Sequence, residues 1–270
     1  MLFVRIDVRE LLPPLRAELM TLLPTLSAGE WRLPTACPGW SVHDIAAHLL
    51  GVEVGNVSTR RDHWALGPGP DDDFDAWLDG FNQQWVEAAR RISPALLTEL
   101  LAVAGQRFDE HVATLDLDAL GGGVGWATGD RPAPVWLDVA REYMERYVHQ
   151  QQIRSACGRP PLGGPFAAAV VQTAVHALPR ALGRVSRPDG TAVAFIVDGE
   201  YGSAWHLTAG PGGWELGRGI PAGPTACEVH ATVEGAIGSL VRDPAAPALT
   251  WQGDRELAAA VAGAKAILGQ

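Results

Sequence analysis

At 270 residues the chain exceeds the usual size of a single hydrophobic core, so two domains are expected. With 47% hydrophobic and 19% charged residues the composition is ordinary for a globular protein, which excludes a disordered or low-complexity chain. A net charge of −10, with no cluster of Lys and Arg to interrupt it, argues against nucleic acid and anionic membrane surfaces and leaves small molecules as the expected partners.

The chain opens Met1-Leu-Phe-Val-Arg-Ile-Asp7, where Arg5 and Asp7 interrupt any signal-peptide apolar core. Leucines then recur at helical spacing from Arg9 to Ser27 around Pro13-Pro14. Ser41-Val-His-Asp44 resembles a capping box with Asp in place of the usual Glu or Gln, and it opens a helix through Ile45, His48, Leu49 and Val52. The Gly/Pro-rich acidic stretch Gly67 to Asp73 breaks the pattern. Helices are then expected over Phe74 to Ile92 and Pro94 to Leu115, closed by Gly121-Gly-Gly. Pro132 and Pro134 precede a long helix from Val135 to Cys157, which Gly158-Arg-Pro-Pro161 stops.

This stop marks the expected domain boundary, giving a helical domain over 1–160 and an α+β domain over 161–270. In the second, one helix spans Phe166 to Leu182. Strands follow at Ala192 to Val197, Ala204 to Thr208, Trp214 to Leu216, Glu228 to Val233 and Leu249 to Trp251. Helices over Glu234 to Val241 and Arg255 to Leu268 complete a small, mostly antiparallel sheet with helices on one face. No segment reaches the eighteen apolar residues of a membrane span. The three cysteines, Cys37, Cys157 and Cys227, are odd in number and widely spaced, which points to a reducing cytoplasm and not to a disulfide framework.

Glu145 and His149 stand four apart in the Val135 helix, hence on one face, and His48 on an earlier helix supplies a third donor. Two imidazoles and a carboxylate suit zinc or nickel, and the missing fourth protein ligand leaves a position for water or substrate. Each part has a plainer reading. Glu–His pairs at this spacing are common on solvated faces, and His48, among Ile45, Ala47, Leu49 and Leu50, could be a satisfied core histidine. Asp44 could orient an imidazole or simply cap its helix; Glu142 could be an alternative ligand or a partner for Arg146. His63 is the reserve ligand, beside Arg60 and Arg61, and His43 and His111 are expected on exposed helix faces. Trp40 is expected to pack at the start of the His48 helix. Cys157 could be a thiol near the site or a small buried residue. Nucleophile-elbow, P-loop and dinucleotide fingerprints are absent.

Pro38-Gly-Trp-Ser-Val-His-Asp-Ile-Ala-Ala-His48 and Glu145-Arg-Tyr-Val-His149-Gln-Gln-Gln-Ile-Arg154 resemble the mycothiol-dependent maleylpyruvate isomerase family over most of the chain. The resemblance implies a DinB-like four-helix bundle followed by a smaller α+β domain similar to sterol carrier proteins. It implies a divalent metal, usually zinc, on His48, Glu145 and His149, with a thiol such as mycothiol at the open position. Relatives commonly carry Asp where this chain has Gln152, so its metal affinity is expected to differ.

The expected function is a metal-dependent transferase or isomerase in which the metal activates a mycothiol-type thiolate toward a small electrophilic substrate. Arg180, Arg184 and Arg218 are available to hold an anionic substrate, and a monomer or homodimer is expected. The alternative is a non-catalytic protein whose α+β domain binds a small or lipid-like ligand over a scaffold bundle. A third reading, a regulator's sensor domain, lacks a helix-turn-helix with a basic recognition helix.

Overall fold

A computed structural model of the chain describes residues 4–64, 67–69, 73–241 and 246–266. Part of the expected break, 70–72, and the expected helix end at Leu268 lie outside the described residues. The α plus α+β architecture is as expected: helices first, then a five-stranded sheet with further helices.

Helix α1 spans Leu12–Leu22 and buries Leu12, Leu15, Leu19 and Leu22 along one face. Pro13 and Pro14 do not interrupt it. They occupy its first turn, where a missing N–H costs nothing, so the helix starts later than its leucine pattern suggests. Helix α2, Val42–Asn56, opens on a complete capping box: Ser41 Oγ accepts from the Asp44 N–H at 3.3 Å, and the Asp44 carboxylate accepts from the Ser41 N–H at 3.0 Å. It runs on into a π-helical turn over Val57–Arg61.

Helices α3, Phe74–Ala89, and α4, Pro94–Ala113, are capped by Asp73 and Ser93, whose side chains accept from the Ala76 and Leu96 N–H groups. Both pack on α2, and α1 packs on α4. A short helix α5, Gly125–Thr128, precedes the long α6, Val135–Ala156. Gly158, at φ +61°, ends α6; the Arg159 N–H reaches back to the Arg154 carbonyl at 2.8 Å, which closes the last turn.

The expected helix Phe166 to Leu182 is broken into α7, Gly164–Ala174, a 3₁₀ turn Val175–Ala177, and α8, Leu178–Leu182. Pro179 has no N–H to donate back to Val175, so the α pattern cannot pass through it. Strands β1 Ala192–Val197, β2 Ser203–Gly210, β3 Gly213–Arg218, β4 Cys227–Ala231 and β5 Thr250–Gly253 form one sheet in the order β3-β2-β1-β4-β5. Only β1 and β4 run parallel. The register aligns Leu216, Leu207, Val193 and Cys227 across four strands, a buried row. Helix α8 packs on β3 and α10, Arg255–Ala262, on β4, while α9, Val233–Val241, packs on α7.

Two compact units emerge. Of the described residues, one holds Val8–Asp116 and Glu142–Leu162; the other holds 4–7, Leu117–Arg141 and those from 163 to 266. Helix α6 therefore contributes Val135–Arg141 to one unit and Glu142–Ala156 to the other.

Candidate metal centre

Within the first unit, the capping box fixes where α2 begins and so sets His48 on its second turn, among the buried Ile45, Ala47 and Leu49. Glu145 and His149 lie one turn apart on α6. His48 Nε2 stands 3.2 Å from Glu145 Oε1, and His149 Nε2 stands 3.0 Å from the same oxygen. The ligand-capable atoms of these three residues all lie within 4.8 Å of one another. Among the described residues no other set of His, Cys, Asp and Glu converges in this way.

Side-chain exposures of 6% for His48, 13% for His149 and 35% for Glu145 make the carboxylate the open side of the cluster. Burial pushes the His48 imidazole below its ordinary pKa, helped by the neighbouring His149 and only partly opposed by Glu145. For His149 burial acts in the same sense, but Glu145 and Cys37 outweigh it and raise the imidazole to about 10. The Glu145 carboxyl is held well below its usual range; burial works against this, and the two imidazoles overcome it. Two imidazole nitrogens thus converge on one carboxylate oxygen, and a donor set of two nitrogens and one oxygen fits zinc or nickel.

The rings are held from behind. Trp40 lies 5.1 Å from His48 between ring centroids, and its Nε1 donates to Gln83 Oε1 at 2.9 Å. His149 Nδ1 contacts Gln152 Oε1 at 2.7 Å, and Cys37 Sγ donates to that same oxygen at 3.3 Å. Cys37 is the neighbour that sequence reasoning missed. Only its position one residue before the Pro-Gly-Trp motif could have signalled it.

The other weighed residues fall elsewhere. Asp44 caps α2 and pairs with Arg90 at 2.9 Å. Glu142 binds Arg146 at 2.8 Å, Asn56 at 2.8 Å and Arg60 at 3.2 Å, outside the converging set. His63, the reserve ligand, is exposed with φ 58° and does not join the cluster. His43, expected on an exposed face, is half-buried: its Nε2 meets the Ile92 carbonyl at 2.9 Å and its ring lies edge-on to Trp31. Cys157 is half-buried and packs against the apolar core.

The family model described as the mycothiol maleylpyruvate isomerase N-terminal domain matches residues 12–154. The chain belongs to this family. Its match begins with α1 and ends in the last turn of α6, so all three converging residues lie inside the mycothiol maleylpyruvate isomerase N-terminal domain. Two solved structures are similar over nearly the whole chain: the mycothiol-dependent maleylpyruvate isomerase and a histidine-to-alanine mutant of it. Each aligns over 93% of this chain and 96% of the other, at 11% identity and a TM-score of 0.56, which shows a shared fold. None of the curated proteins matches.

Proposed function

We propose that His48, Glu145 and His149 hold a divalent cation, zinc or nickel, and that the protein is a transferase or isomerase using mycothiol or a similar low-molecular-weight thiol. The convergence of the three donors within 4.8 Å carries this reading. When bound, such an ion supplies Lewis acidity that keeps a thiol ionised at neutral pH for attack on a small electrophilic substrate. Three protein donors suit that chemistry because they leave room for an exogenous thiol.

The chain's own residues bind and orient. His48 and His149 present Nε2 toward one point, Glu145 adds the charge there, and Trp40 and Gln152 restrain the two rings. Half-buried Cys37 and Cys157 and buried Cys227 are free thiols, in keeping with the reducing cytoplasm we propose for it. Among the described residues, no helix is long and apolar enough to cross a membrane.

The test is optical. Protein loaded with cobalt(II) in place of zinc should develop a sulfur-to-metal charge-transfer band on addition of mycothiol, and His149→Ala should not. A loaded wild type whose spectrum ignores every thiol offered contradicts the thiol reading.

A second reading keeps one observation in its favour. In the sheet unit a mostly apolar groove of about 470 Å³ is lined by Val229, Leu249, Trp251, Ala258 and Arg255. This supports a ligand-binding module. If a fluorescent fatty acid binds wild type and His48→Ala equally and neither takes up metal, the module is the better account.

A further inference from the structure

We infer that Gln152 is a positioning residue that fixes His149 as an Nε2 ligand, with the Cys37 thiol as a second donor on the same amide oxygen. The inference rests on the proposed metal reading and deepens it.

Gln152 Oε1 is an acceptor only, so the 2.7 Å contact from His149 Nδ1 requires a proton on Nδ1. With Nδ1–H committed to Gln152, Nε2 is the ring nitrogen left for a cation: in the cation-free protein it donates to Glu145 Oε1 at 3.0 Å, and a bound cation would displace that proton and use the Nε2 lone pair beside His48 Nε2. A ring turned or tautomerised the other way would set the Nδ1 lone pair against the amide oxygen and lose this contact. Gln152 sits one turn beyond His149 on α6, so its reach is set by the helix itself. Cys37 lies on the chain before α2, and its Sγ–H donates to the same oxygen at 3.3 Å. The oxygen thus spans α6 and the segment leading to the His48 helix.

Cys37 is absent from the converging donor set, which leaves it as part of the support and not as a fourth ligand. A neutral amide can orient the ring in this way but lends it no negative charge, unlike a carboxylate at the same place.

Zinc affinity, measured by competition with a chromophoric chelator, tests the inference on the full chain. Gln152→Met keeps the side chain's length and removes the acceptor; it should weaken zinc binding roughly 10- to 100-fold, the usual effect of losing such a support. Gln152→Glu restores an acceptor and adds charge, and it should bind at least as tightly as wild type. Thermal unfolding of the metal-free variants, expected to match wild type, separates this from a general loss of structure.

Gln152→Met binding zinc within twofold of wild type overturns the inference alone, as does Gln152→Glu failing as badly as Gln152→Met. A wild type that takes up no zinc overturns the metal reading and this inference with it.

Discussion

Arg146 lies buried on α6 and pairs with two carboxylates at once, Arg60 supplying the second positive charge at Glu142. It makes a two-bond contact with Glu53, at 2.9 and 2.8 Å, and a further bond to Glu142 at 2.8 Å, while its guanidinium sits 4.0 Å over the Phe108 ring. Removing one partner of such a set strands charge away from water, which costs far more than the net worth of the pair. Arg146→Ala should therefore lose about 3–5 kcal/mol of stability in urea unfolding. A loss below about 1 kcal/mol would show that water reaches Glu53 and Glu142. The sequence exposed only part of this network. Glu142 and Arg146 stand four apart and can be paired by eye, but Glu53, Asn56 and Arg60 come from another helix and its continuation. The converging triad was more legible, because two of its members share a helix face and the third lies in a recognisable motif. The support from Cys37 was not legible, since one cysteine in a loop carries no periodicity.

At the scale of elements, helix ends were readable wherever a cap residue acts locally. Ser41 and Asp44 announce α2, and Gly158 stops α6, because both signals depend on backbone groups a few residues away. The prolines of α1 and α8 misled by position: two of them begin a helix that the leucine pattern places earlier, and Pro179 breaks one that the pattern continues. Asp44 makes a pH prediction. Burial works to raise its carboxyl, but Arg90 and the Ser41 N–H and hydroxyl hold it below the usual range. A folded pKa below the unfolded one contributes stability that is complete above the unfolded value, about 3.9, and is lost as pH falls through the folded value. Asp44→Asn should flatten this acid part of the stability–pH curve and leave the neutral part's slope unchanged; an unaltered acid slope would contradict the pairing. The docking of α3 on α2 makes another. Trp85 donates to the Ala47 carbonyl at 2.7 Å, and a Cβ at Gly51 would meet its indole at 2.6 Å. Gly51→Ala should cost about 1–3 kcal/mol by overpacking and shift Trp fluorescence, whereas an unshifted, fully stable variant would show that the indole has room to move.

For the whole molecule, composition and pattern were enough to anticipate helices followed by a mostly antiparallel sheet, since each depends on short-range periodicity. Strand order and the single parallel pair, β1 with β4, depend on long-range pairing that no local pattern encodes. The proposed division at 160/161 has its own test. A fragment of residues 1–160 carries Trp136, Leu137 and Ala140, which are buried in the full chain and belong to the unit that continues from Gly163. It should unfold at a lower urea concentration than the intact protein and bind a hydrophobic dye more strongly; equal midpoints and no dye uptake would show that residues 1–160 fold fully without the rest of the chain.

The central claim is that His48, Glu145 and His149 act as one cation site, and equilibrium dialysis against zinc at neutral pH tests it most directly. Wild type should retain zinc in a one-to-one ratio, and His48→Ala, folded by circular dichroism, should retain none under the same conditions. Zinc-free wild type, or a His48→Ala variant that holds zinc as tightly as wild type, would contradict the account.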